Sequence, residues 1–179
     1  MPDNPFPYQE GKVSEIRVSY ECPVQIEDRV QLRSSKDTES VLRTIWAKNT
    51  LEYEERFYVL LLNRSNHILG YVLHTIGGLS GTIGDVKQIL AVALKANASA
   101  IIISHNHPSS NVLPSQADIQ LTKKICQGAS YLDLQVLDHI ILTKQTYYSF
   151  ADEGELQVTS SGPSGLTDGA LNALLPNQD

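Results

Sequence analysis

Two histidines one residue apart, His105 and His107, stand at the end of an apolar run in "SAIIISHNHPSSNVLPSQADIQLT", and Asp118 follows beyond a proline-broken loop. Side chains two apart on a strand share a face, so both imidazoles can point the same way. Such a pair would repel if both were protonated and is better satisfied by a cation. Two histidines and a carboxylate form a complete protein shell for a catalytic metal, with a fourth position left for water. The plainer reading of the same segment is a helix start: Ser115-x-x-Asp118 resembles a capping box with Asp in place of Glu. Ser115 can both cap the helix and face the site.

Metal-assisted hydrolysis also calls for a base beside the attacking water, commonly a carboxylate. "YEERFYVLLLN" offers Glu54 and Glu55 directly before an apolar strand, where carboxylates are poorly placed unless they face a cleft. Their plain reading is the solvated end of a turn, and spacing does not choose between them.

These residues need a scaffold, and hydrophobic periodicity supplies one. "SAIIIS" reads as a central strand covered on both faces, and "PSQADIQLTKKICQGA" as a helix capped by Ser115 with Gly128 near its end. Before them, "SSKDTESVLRTIWAKNT" is a helix with Ser35 or Asp37 as N-cap. "RFYVLLLNRSNHILGYVLHTIGG" is a β-hairpin with strands at Phe57 to Leu62 and His67 to Thr75. "GDVKQILAVALKANA" is a helix capped by Asp85, with Val86, Ile89, Leu90, Ala93 and Leu94 on one face. "LQVLDHIILT" is a last long strand, and "YYSFADEG" closes the domain. The order predicts an α/β fold, a mixed β-sheet flanked by helices.

The 179 residues, 41% of them hydrophobic, suit one domain with one core. Residues 1–34 read as an N-terminal extension with a candidate edge strand at Ile16, Val18 and Tyr20, residues 35–154 as the domain, and 155–179 as a flexible tail. Fourteen Lys and Arg against 20 Asp and Glu leave a net charge of −6, so no whole-chain positive field exists to hold nucleic acid. Cys22 and Cys126 form no CxxC pair, which suits a reducing interior. With no signal peptide and no long apolar run, a cytoplasmic chain without membrane contact is expected.

"HNHPS", "PSQADIQLTKK", "LDHIILT" and "YYSFADEG", in that order, resemble the RadC-like proteins, a bacterial branch of the JAB/MPN superfamily. The JAMM motif of that superfamily, a Glu followed by H-x-H-x(7)-S-x(2)-D, is matched by His105, His107, Ser115 and Asp118. The resemblance implies a cytidine-deaminase-like JAB/MPN sandwich and a zinc hydrolase, with Zn²⁺ on His105, His107 and Asp118. It implies Glu55 as the base, since the family's acidic residue stands two before the residue that opens the first buried strand, and Ser115 as a hydrogen-bond donor to the developing oxyanion. In JAMM enzymes the scissile bond is typically an amide or isopeptide, the motif does not choose among peptide, isopeptide and phosphodiester bonds for RadC-like members, and the family's name adds a link to DNA repair. Ser110 stands where the family usually has Gly, so the loop is expected to differ slightly there. The N-terminal helical domain of longer relatives is not expected here, which weakens any inference of DNA binding.

Three other readings compete. A non-haem iron oxygenase also uses two histidines and a carboxylate, but needs neither Glu55 nor Ser115. A metal-containing DNA-repair accessory or scaffold is the binding-class alternative, although scaffolds of this superfamily generally lose ligands. The tripeptide "HNH" is not the nuclease motif of that name, which is spread over a ββα unit. His67, His74 and Cys126 read as structural, His139 as a satisfied core histidine, and the glycines Gly77, Gly78, Gly81 and Gly84 as a cleft-edge loop.

Overall fold

The computed structural model describes residues 24–77 and 84–156. A short 3-10 turn at Ile26–Asp28 leads into helix α1 (Ser35–Ile45). The hairpin β1 (Arg56–Leu62) and β2 (Ile68–Ile76) follows, then α2 (Val86–Lys95), β3 (Ala100–Asn106), α3 (Gln116–Ser130), β4 (Gln135–Leu142) and β5 (Tyr147–Ser149). The strands form one sheet in the order β2-β1-β3-β4-β5. β3 runs antiparallel to β1 and parallel to β4, because α3 carries the chain across as a right-length crossover. The expected mixed sheet is therefore present.

Alternation along the strands sorts side chains onto two cores. Phe57, Val59, Leu61, Ile101 and Ile103 pack beneath α2 and α3, through Ile89, Ala93, Ile125 and Ala129. Tyr58, Leu60, Leu62 and Ile102 face the other way and pack with Leu42 and Trp46, on and just beyond α1. Helices thus cover both faces, and all seven residues of β3 are buried, as a central strand requires. Continuing the same parity places His105 on the α3 side and Asn106 on the opposite side.

β4 breaks that parity once. Its register against β3 shifts between the pairs Ile101↔Val136 and Ile102↔Asp138, so one extra residue is accommodated there. Val136 and His139, three apart, consequently both face α3. Without the shift, His139 would point to the α1 side.

Two local expectations are corrected. The N-cap of α1 is Ser34, not Ser35 or Asp37: Ser34 is extended, with φ −152° and ψ 164°, and its side chain accepts the Asp37 N–H. Asp37 instead returns a carboxylate to the Arg33 N–H at 2.9 Å, so the cap and its acidic partner form one unit. Leu94 does not join the buried face of α2; it is 53% exposed, because the core stripe there runs through Ile89 and Ala93. Gly128 lies near the end of α3, as expected, and the helix runs on to Ser130. A Cβ at Gly128 would lie 2.8 Å from Leu90 Cδ1, so this glycine allows α2 and α3 to approach closely.

Among the described residues no helix is long and apolar enough to cross a membrane. The candidate edge strand, Cys22, Gly78, Gly81 and the tail beyond Leu156 lie outside the described residues.

Candidate metal centre

His105 lies one residue before the end of β3, still buried, and His107 follows just past that end. The His107 N–H donates to Leu142 O at 3.0 Å, which keeps the chain paired with β4 for one more residue. Pro108 then removes a donor, and the chain turns back, with the Ser110 N–H bonded to His107 O at 3.1 Å. Ser110 adopts φ 64°, the left-handed region that favours glycine. The loop keeps a glycine-like conformation although serine occupies it.

The loop delivers α3 with Ser115 as its N-cap. Ser115 Oγ accepts the Asp118 N–H at 3.2 Å, and the Ser115 N–H donates to Asp118 Oδ2 at 2.6 Å. The capping box anticipated as the plain reading is thus complete. It also aims the carboxylate: Asp118 Oδ1 lies 3.2 Å from His105 Nε2, and Asp118 Oδ2 lies 3.5 Å from His107 Nε2. The two Nε2 atoms are 3.0 Å apart. One geometry thus accommodates both the cap and the metal-ligand reading.

These distances test whether the residues suit a metal ion. Zinc bonds of about 2.0–2.1 Å to nitrogen or oxygen place tetrahedral ligand atoms about 3.3 Å from one another. The three separations bracket that value. His107 Nδ1 lies 2.6 Å from Asn111 O, and since a carbonyl only accepts, Nδ1 carries the proton and the neutral ring turns a lone pair from Nε2 inward. Two ring nitrogens and a carboxylate converging in this way form a donor set that fits a divalent cation.

The electrostatics agree. Burial opposes ionisation of Asp118, but the imidazoles of His105 and His107 beside it outweigh that and hold the carboxyl well below the usual carboxylate range. The hydrogen bond to Asp118, opposed by burial, raises His107.

Glu55 is half-buried, and its carboxylate joins His105 and His107 in a group whose candidate ligand atoms lie within 4.8 Å of one another. Glu54 is turned away, with its Oε1 receiving the Arg56 guanidinium, including Nε at 2.7 Å. Geometry thus separates two carboxylates that spacing left equal. Asn106, between the histidines but facing the other side of the sheet, grips this segment. Its Nδ2 donates to Leu51 O at 2.8 Å and Glu54 O at 3.0 Å, and its Oδ1 accepts the Arg56 N–H at 2.8 Å.

Sequence reasoning missed Asn106 and Thr122 and underrated His139. His139 is fully buried and satisfied, as expected of a core histidine, and burial pushes its pKa well below the ordinary imidazole value. Its Nε2 lies 2.9 Å from His105 Nδ1, and its Nδ1 lies 2.6 Å from Thr122 Oγ1. His74 accepts the Asp85 N–H at 3.1 Å, and burial lowers its pKa. His67 bridges to Gln31, and Cys126 is a free, buried thiol in the α3 core. These three fit their structural readings.

Comparison with known proteins agrees with the fold. Residues 32–155 match the RadC-like JAB domain. The chain is 44% identical over 124 residues to a UPF0758 protein of Flavobacterium johnsoniae, covering 69% of this chain and 53% of the relative. It is 43% identical over 124 residues to one from Porphyromonas gingivalis, with 69% and 55% covered. A UPF0758 protein of Chlorobium chlorochromatii is 32% identical over 148 residues, with 82% and 67% covered. The chain spans about half the length of the first two relatives. With the mixed sheet, the converging histidines and this match across most of its length, the chain belongs to the RadC-like JAB domain family.

Proposed function

We propose that this chain is a metal-dependent hydrolase of amide or isopeptide bonds, with Zn²⁺ as its metal. His105, His107 and Asp118 would hold the ion, which when bound supplies the Lewis acidity that makes water a nucleophile near neutral pH. The observation that carries the reading is the approach of a second carboxylate, Glu55, to the histidine pair. A purely structural site has no need of it. In this reading Glu55, near the histidine pair, takes a proton from the attacking water and returns it to the leaving nitrogen.

Ser115 Oγ accepts the Asp118 N–H through a lone pair, which leaves its own hydroxyl proton to be donated. In this reading that proton goes to the oxyanion that develops on the substrate carbonyl. With a net charge of −6, the chain lacks a whole-surface field to attract nucleic acid, so a peptide or isopeptide is the favoured substrate.

The test is a screen of peptide and isopeptide substrates with zinc-loaded wild type and Glu55→Gln. Hydrolysis lost by roughly 10²–10⁴-fold in a variant that keeps its metal supports the reading. Metal retained in both, with no hydrolysis in either, would favour a scaffold or DNA-repair accessory that keeps its ion.

A further inference from the structure

The hydrogen bonds behind His105 have a direction. Thr122 Oγ1 donates to Asp118 O at 2.7 Å, and a hydroxyl has one proton to give. Towards His139 Nδ1, 2.6 Å away, Thr122 is therefore an acceptor, and that nitrogen carries the proton. A neutral His139 then presents a bare Nε2 to His105 Nδ1, 2.9 Å away, and His105 must donate. The remaining nitrogen of His105, Nε2, turns its lone pair towards His107 and Asp118.

We propose that Thr122 and His139 are positioning residues that set the tautomer of His105 in advance, so that Nε2 is ready to ligate. Each step from the α3 backbone to the site is buried, with Thr122, His139 and His105 at 2%, 0% and 3% exposure, so water offers the relay no alternative partners. The rings are also held in place. Phe150 stacks on His139 at 4.7 Å and 11° between planes, and Phe57 lies parallel to His105 at 6.2 Å and 8°.

The segment carrying Phe150 is itself tied to β4. Asp138 accepts the Ser149 hydroxyl at 2.6 Å, the Ala151 N–H at 3.0 Å and the His139 N–H at 2.7 Å. In "LDHIILT" and "YYSFADEG", Asp138 fastens the second string to the first, and Phe150 then braces His139. Partners behind a ligating histidine fix its orientation and commonly govern metal affinity by about 10–100-fold.

The inference rests on the metal-centre reading for its purpose, but its hydrogen-bond order can be tested without metal. Nitrogen-15 NMR of the metal-free wild type, at mildly alkaline pH, should find protons on Nδ1 of both His139 and His105. A His139 proton on Nε2, with His105 protonated on the nitrogen facing Asp118, would reverse the relay and overturn the proposal.

Zinc affinity, by chelator competition, supplies the second arm. Thr122→Val, which keeps shape but loses the hydroxyl, should weaken zinc by about 10-fold or more, while Thr122→Ser stays within a few-fold of wild type. Equal affinity in all three proteins would also overturn it. A wild type that binds no zinc yet shows both Nδ1 protons would support the relay and refute the metal reading.

Discussion

Asn106 Oδ1 accepts the Arg56 N–H at 2.8 Å, while the same carboxamide donates to Glu54 O at 3.0 Å, so the two peptide groups flanking Glu55 are held by one side chain. Asn106 is the last residue of β3, between His105 on that strand and His107 just past it. The end of β3 and the segment of the candidate base are thereby locked to each other.

Asn106→Ala removes three hydrogen bonds from a fully buried side chain and should cost about 2–4 kcal/mol, read by chemical denaturation. Asn106→Asp should cost more at neutral pH, since a carboxylate would face the Leu51 and Glu54 carbonyl oxygens. A loss under about 0.5 kcal/mol in both would show that the clamp holds nothing.

Two carboxylates near the histidines are expected to divide their work. Asp118→Asn should weaken zinc by at least about 10-fold, because an amide gives up the charge that faces both Nε2 atoms. Glu55→Gln should bind zinc within a few-fold of wild type and lose hydrolysis. Glu54→Gln should keep both, since Glu54 serves Arg56. Isothermal titration with zinc separates the three, and a Glu55→Gln variant that loses zinc would make Glu55 a ligand.

Ser110 at φ 64° is a backbone position that glycine occupies without steric cost. Ser110→Gly should leave zinc binding unchanged and raise stability by up to about 1 kcal/mol, because relief of left-handed strain exceeds the added chain entropy. Thermal unfolding of the metal-free protein reads this, and a lower midpoint would contradict it.

The pH response should invert on metal loading. The raised pKa of His107 gives stability that is complete below the ordinary imidazole value, about 6.5, and is lost as pH rises through the raised folded value. The depressed pKa of Asp118 gives stability present above about 3.9 and lost only as pH falls through its lower folded value. Metal-free wild type should therefore gain most over His107→Ala between about pH 4 and 6.5, with the gain shrinking towards pH 8. Zinc needs the deprotonated imidazole, so affinity should climb over that upper interval. A gain over His107→Ala that grows with pH in the metal-free protein would contradict the pairing.

The strand and helix that bring the histidines and Asp118 together were legible because the signals were local: a β-branched run, a two-residue spacing and a capping serine. Ser34 displaced Ser35 because the cap depends on which serine is extended, a backbone property that two adjacent serines do not announce. Counting by twos from Val136 puts His139 on the wrong face, and only the register shift in β4 corrects the count. Asn106 left a trace in the sequence, a polar residue whose parity aims it into a core, but its partners come from residues 51–56, which sequence alone does not bring near. Glu55 was separable from Glu54 only by resemblance until Arg56 was seen to occupy Glu54.

The central claim is that His105, His107 and Asp118 hold one metal ion. Its most direct test is the metal content of untagged protein after exposure to zinc and removal of excess, by elemental analysis, for wild type and His107→Ala. The account predicts about one zinc per chain in wild type and almost none in the variant. No zinc in wild type, or an equal amount in both, would contradict it and leave Ser115 and Asp118 as a helix cap alone.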